Sequence, residues 1–183
     1  MRVLLHTCCG PCAIFPASLL EAEGFSVTLF FYNPNVFPLE EKVKRRDALA
    51  SLAKEEGWTV VYDDAPYEAY ESRVAMLERP RRCQACYLMR LEKTARAASD
   101  GRYDGFSTTL LVSPYQRHED VRRIGEVLGN RFGVSFIYRD FRVGYRRGRS
   151  AARGKHIYMQ NYCGCGWSLE ERVMTDASSR TSL

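Results

Sequence analysis

The sequence predicts an α/β fold with a mostly parallel sheet flanked by helices. Short apolar runs rich in β-branched and aromatic residues recur along the chain, and amphipathic helical stretches separate them. The 183 residues show no internal repeat, linker or low-complexity run. A single domain over 1–174 is expected, with a small, polar, disordered tail over 175–183.

The elements follow in order. "RVLLHTC" is a buried strand. Pro11 and Cys12 open a helix through "CAIFPASLLEAEG", closed at Gly24, with Pro16 as an objection in its early turns. "SVTLFFYN" is the second strand, ended by Asn33-Pro34-Asn35. "PLEEKVKRRDALASLAKEEG" is a charged amphipathic helix, and "WTVVYDD" the third strand. "EAYESRVAMLER" is helical, and "CQACYLMRLEKTARAASDG" forms a further helix after the basic turn "RPRR". "YDGFSTTLL" is the fourth strand. "SPYQRHEDVRRIGEVLGNRFG" is a helix with Ser113 as N-cap and Pro114 at its first position. "VSFIYRDF" is the fifth strand, followed by a basic helical segment up to "NYCGCGWS".

Ligand sites in open α/β sheets form beyond the carboxyl ends of the strands, where strand order reverses. Strand one ends in cysteines, strand three in Asp63 and Asp64, and strand four carries Ser107, Thr108 and Thr109 late in its run. One rim could hold all of them. No glycine-rich phosphate loop follows strand one, so nucleotide binding by that route is disfavoured.

No apolar run is long enough to span a bilayer, and the run "VLLHTCC" is too short for a signal peptide. The expected location is the cytoplasm, with no membrane partner. In that reducing compartment, seven cysteines point to metal or redox chemistry rather than to staples. They fall in three groups: Cys8/Cys9/Cys12, Cys83/Cys86 and Cys163/Cys165.

Cys9-x2-Cys12 and Cys83-x2-Cys86 both have the spacing that lets two sulfurs face one metal, and both open helices, whose N-termini favour thiolates. Together they suit a structural zinc or an iron–sulfur cluster. Cys8 makes five candidates for four positions, and the spacing leaves open which four bind. About seventy residues separate Cys12 from Cys83, against the ~15–20 typical of paired zinc knuckles. A disulfide across Cys163-Gly164-Cys165 would be strained and easily reduced, which suits an electron relay; two more metal ligands are the alternative. "CGPC" also suggests a thioredoxin-like thiol oxidoreductase, but that reading leaves five cysteines unused and needs a different strand pattern.

From Phe141 to Leu169 there is no acidic residue, while Arg142, Arg146, Arg147, Arg149, Arg153 and Lys155 fall in that stretch. Tyr138, Tyr145, Tyr158, Tyr162 and Trp167 are interleaved with or flank them. Such a surface suits a nucleic acid with unpaired bases. A zinc-bearing RNA-binding module without catalysis is therefore the competing class. His6, inside strand one, is expected to be a satisfied core histidine.

The stretches "LLHTCCGPC", "CQACYLMRLEKTA", "STTLLVSPYQ", "IYRDFRVGYRRGRSAA" and "YMQNYCGCGWSLEER" together resemble the QueH family of epoxyqueuosine reductases over nearly the whole chain. The resemblance implies a Rossmann-like (HUP-type) domain and a 4Fe-4S cluster, with a second, mononuclear iron nearby. It implies reduction of the epoxide of epoxyqueuosine, at the wobble position of the tRNA anticodon, to queuosine. Cys8, Cys9, Cys83 and Cys86 then correspond to cluster ligands, and Cys163 and Cys165 to a redox-active disulfide fed by an external electron donor. Cys12 is left between iron ligand and catalytic thiol. Asp64 or Tyr115 would protonate the departing oxygen, and the basic residues from Arg142 to Lys155 would hold phosphates.

Overall fold

Strand β1 (Arg2–His6) sets the architecture, because it is buried on both faces from Val3 to His6. A strand with no solvated face belongs in the middle of a parallel sheet. The computed structural model, which describes residues 1–181 with side chains through 175, puts it there. The sheet has five strands in the order β3-β2-β1-β4-β5, with β2 at Ser26–Phe31, β3 at Thr59–Tyr62, β4 at Gly105–Thr108 and β5 at Ser135–Phe136. Every pairing is parallel, and the register sets Leu5 against Leu29 and Ser107, and His6 against Phe30 and Thr108.

Helix α1 (Gly10–Ala22) packs on α2 (Leu39–Glu56), and α4 (Arg81–Asp100) packs on α5 (His118–Phe132). Right-handed crossovers place these two pairs on opposite faces. Strand order runs outward from β1 to β3 in one direction and from β4 to β5 in the other. The reversal lies between β1 and β4, so the carboxyl ends of those two strands form the crevice where a ligand site is expected.

Several expected boundaries move. Pro16 is buried inside α1 without ending it; its missing N–H leaves the Cys12 carbonyl without the usual donor one turn on. The expected fourth strand stops at Thr108, because residues 109–112 wind into a 3-10 turn capped by the Thr108 hydroxyl. The helix expected from Ser113 begins at His118. Ser113 instead closes a turn: its hydroxyl accepts from Tyr115 N–H at 3.3 Å and its carbonyl from Gln116 N–H at 3.3 Å. The fifth strand pairs over only two residues. The segment expected to be helical over 68–79 holds only as α3 (Tyr67–Val74).

The basic segment forms α6 (Tyr145–Gly154), which lies across α1. A Cβ on Gly144 would fall 2.0 Å from the Phe15 ring, so only glycine permits this close approach. The contact sets Tyr145 and Arg149 beside the cysteine end of α1. Helix α7 (Gly166–Thr181) follows the last cysteine pair. The tail expected to be disordered over 175–183 overlaps the end of α7; residues 182–183 and the side chains from 176 onward lie outside the described residues. Among the described residues no helix is long and apolar enough to cross a membrane.

Candidate metal and redox centre

Strand β1 runs into Cys8, and α1 opens with Cys9 as its N-cap residue. One turn of helix then brings Cys12 back to the same corner. The sulfurs of Cys8, Cys9 and Cys12 all lie within 4.8 Å of one another, with Cys8 and Cys9 3.7 Å apart. From the 3-10 turn that follows β4, the Thr109 hydroxyl donates to the Cys8 sulfur at 3.4 Å and accepts the Cys8 N–H at 3.2 Å. The Gln160 amide donates to the Cys9 sulfur at 2.8 Å. The donor set has a clear acid–base order. Cys12 and Cys9 donate to Cys8 and hold its thiol well below the ordinary range, with Arg90 assisting. Cys12, as donor to Cys8, is pushed well up, and burial pushes Cys9 up. A single thiolate cradled by two thiols is a metal-ready arrangement, since a bound cation displaces the remaining protons.

The corner opens into a cleft of about 770 Å³. Cys8, Cys12, Cys83 and Cys163 all line it, so each of the three cysteine groups contributes a sulfur. Cys83 and Cys86 sit in the first turns of α4. Cys86 is buried behind Cys83, and that burial raises its thiol to about 12. Neither belongs to the tight group of three, which contains Cys12. All seven cysteines are free thiols.

The Cys163–Cys165 turn is tied down from several sides. Arg45, on α2 and 1% exposed, donates to the carbonyls of Cys163 (3.0 Å) and Tyr162 (3.1 Å). Its Nε is held by Glu41 at 2.7 Å. Phe37 N–H donates to the Gly164 carbonyl at 2.8 Å, and Tyr162 hydroxyl to the Phe37 carbonyl. Gly164 has φ 128°, a conformation that side chains disfavour, and lies against Arg45 and Asn35. The Cys163 sulfur meets the Gln116 amide at 3.7 Å. Cys165 instead faces Ser168 at 3.4 Å and packs in an apolar group with Tyr70 and Trp167.

Beneath the sulfurs lies a buried polar layer. Arg90, 2% exposed, donates from Nε to His6 Nε2 (3.3 Å) and from Nη2 to Asn33 Oδ1 (2.7 Å). His6 Nδ1 meets the Thr108 hydroxyl at 2.8 Å, and Nε2 also lies 3.3 Å from the Tyr32 carbonyl oxygen. Burial, then the charge of Arg90, lowers His6 to about 3, so the ring is neutral. It is a satisfied core histidine, as its place in strand one suggested.

The structure does not gather every expected residue. Asp64 lies in a separate small cleft, 71% exposed and paired with Lys42, while Asp63 pairs with Lys93 at 2.8 Å. Both follow β3, at the sheet edge beyond β2, and Asp64 does not line the cysteine cleft. Arg142 is bound to Asp140 at 2.6 Å, and Lys155 to Glu55 and Glu56. Arg146, Arg147 and Arg153 are exposed on α6. Arg149 alone of that run lines the cleft, near Tyr145, whose ring meets the exposed Tyr115 edge-on. Tyr162 also lines the cleft, whereas Tyr138 packs on His118.

Sequence reasoning missed Arg45, Arg90, Gln116 and Gln160. One signal was available for Arg90, which follows Cys83 by seven residues and Cys86 by four. On a helix, that spacing places it on the cysteine face.

Residues 3–171 match the family model described as Epoxyqueuosine reductase QueH. The chain belongs to this family. It is 34% identical over 171 residues to the epoxyqueuosine reductase QueH of Dehalococcoides mccartyi, covering 93% of this chain and 94% of that one. It is 36% identical over 179 residues to the QueH of Thermotoga maritima, covering 93% and 91%. As a QueH, the chain is an oxidoreductase. Among solved structures it resembles the U34-tRNA thiolase NcsA of Methanococcus maripaludis, solved with its [4Fe-4S] cluster, at TM-score 0.60 and 16% identity, covering 99% of this chain and 67% of that one. At that identity the likeness speaks to the Rossmann-like (HUP-type) fold. The sheet order and parallel pairing agree with it.

Proposed function

We propose that this QueH reduces the epoxide of epoxyqueuosine in tRNA to the alkene of queuosine, taking up two electrons and two protons and releasing water. The observation that carries the reading is the meeting of sulfurs from all three cysteine groups on one cleft at the strand-order reversal. A four-sulfur structural clip would need only two of those groups.

The donor set fits an iron–sulfur cluster: thiolate-forming sulfurs at two helix starts, and a buried guanidinium that favours negative charge beside them. Cys8, Cys9, Cys83 and Cys86 would hold a 4Fe-4S cluster. When bound it would supply single electrons, and a second iron would supply a Lewis acid for the epoxide oxygen. Cys12, which lines the cleft and keeps its proton beside Cys8, is the sulfur left for a second iron or for the substrate. Cys163 and Cys165 would pass reducing equivalents from an external donor, with Cys163 on the cleft and Cys165 behind it.

The substrate base lies in an anticodon loop, so it can enter without opening a duplex. Tyr115 and Tyr145 stand at the cleft as faces for stacking, and Arg149 as a phosphate or base partner. Tyr115 remains the candidate to protonate the oxygen, because Asp64 points elsewhere. A cytoplasmic location follows from a tRNA substrate.

Anaerobic purification followed by iron and acid-labile sulfide analysis tests the cofactor. Four irons and four sulfides per chain are expected for such a cluster, and zinc alone would defeat the reading. Cys163→Ser should abolish turnover with the external donor; turnover that persists removes the relay.

A further inference from the structure

Among the described residues two arginines are almost fully buried, and they differ in one respect. Arg45 has a carboxylate partner, Glu41, at 2.7 Å. Arg90 has none: among the described residues no carboxylate lies within 4.0 Å of its guanidinium. Its contacts are the neutral His6 ring at 3.3 Å, the Asn33 amide oxygen at 2.7 Å and the Cys86 sulfur at 4.0 Å. A desolvated cation without a counter-charge is costly, so buried charges are ordinarily paired. An imidazole and an amide offer no negative charge, so neither His6 nor Asn33 can balance it. The groups left that can carry negative charge are sulfurs. Cys86 is in contact at 4.0 Å, and Cys8 lines the same cleft as Arg90.

We infer that Arg90 is a positioning residue for electron transfer: its fixed, buried positive charge raises the reduction potential of the cluster held by the cysteines around it. The inference rests on the cluster reading above. A thiolate-ligated cluster is net negative, and taking up one electron makes it more so. A cation fixed a few ångströms away stabilises the reduced form more than the oxidised form. Burial of Arg90 lowers the local dielectric and strengthens the effect. The geometry also explains the other two contacts. His6 and Asn33 hold the fork in place and add no negative charge, and the Asn33 amide is itself fixed by donating to the Thr7 carbonyl at 2.9 Å.

The test is a redox titration of anaerobically reconstituted protein with dithionite, which delivers one electron to the cluster, read by its visible absorption and paramagnetic signal. Iron and sulfide are measured first. Arg90→Gln removes the charge; Asn33→Asp keeps the arginine and sets a carboxylate against it; Arg90→Lys keeps the charge on a different shape. Arg90→Gln and Asn33→Asp should each be at least tenfold harder to reduce, a fall of about 59 mV for a one-electron couple. Arg90→Lys should stay within about threefold of wild type, roughly half that shift. Wild-type potentials in Arg90→Gln and Asn33→Asp would overturn the inference. So would loss of the cluster from Arg90→Gln and Arg90→Lys alike, which would mark the role as one of shape. Wild-type protein without iron and sulfide would instead overturn the cluster reading itself.

Discussion

Replacing Arg45 by Met tests how the Cys163–Cys165 turn is held. Three hydrogen bonds would go: one to Glu41 at 2.7 Å, and those to the carbonyls of Cys163 at 3.0 Å and Tyr162 at 3.1 Å. The larger effect is on Glu41. Its side chain is 8% exposed, and it would be left as a buried carboxylate with only the Tyr158 hydroxyl donating to it. Breaking a buried pair from one side costs about 3–5 kcal/mol. For a chain of this length, at about 2–4 °C per kcal/mol, that corresponds to a fall of roughly 10 °C in Tm. Thermal unfolding of the reduced, metal-free protein reads the loss. Hydrogen exchange at the Gly164 and Gly166 amides should rise with it, as the turn loosens. Glu41→Met combined with Arg45→Met should lose less than Arg45→Met alone, because no charge is then stranded. A Tm within about 2 °C of wild type for Arg45→Met, under ~1 kcal/mol by the same conversion, would refute the clamp. So would additive losses in the double variant.

Three other outcomes follow from the structure. Gly144→Ala drives a methyl group into the Phe15 ring and should cost about 1–3 kcal/mol by unfolding, with α6 displaced from α1. Asp140, half-exposed and paired with Arg142, is held at about 2, so its contribution is present above the ordinary carboxylate pKa and is lost as pH falls from about 4 through about 2. The stability gap between wild type and Asp140→Asn should be about 1 kcal/mol at neutral pH after solvent screening and should close across that window; a gap that does not close contradicts the assignment. Tyr115→Ala with Arg149→Glu should weaken tRNA binding at least tenfold while leaving iron content unchanged, and the remaining affinity should fall less steeply with salt.

The sheet was legible in outline because its strands are apolar runs and its helices amphipathic. What stayed hidden was strand order. Asp64 and Cys8 both follow strands and share a rim in the sequence reading. In the fold, β3 is at the edge and β1 at the centre, so the two lie apart. The Ser113 boundary failed for a local reason: a serine followed by proline starts a turn as readily as a helix, and only the tertiary setting decides. The cysteine grouping was legible because thiols are rare and their spacing is chemical. Arg45 was not, because an arginine in a charged helix such as "EEKVKRRDAL" looks solvated until its neighbours from distant segments are known. Of the basic run, the sequence could not separate Arg149, which lines the cleft, from Arg142 and Lys155, which neighbouring carboxylates already hold.

The most direct test is nucleoside mass analysis of epoxyqueuosine-containing tRNA after anaerobic incubation with reconstituted protein and a strong one-electron reductant. Conversion to queuosine, seen as loss of one oxygen from the modified base and absent in Cys8→Ser, is the predicted result. Unchanged epoxyqueuosine with cluster-loaded wild-type protein would contradict the account.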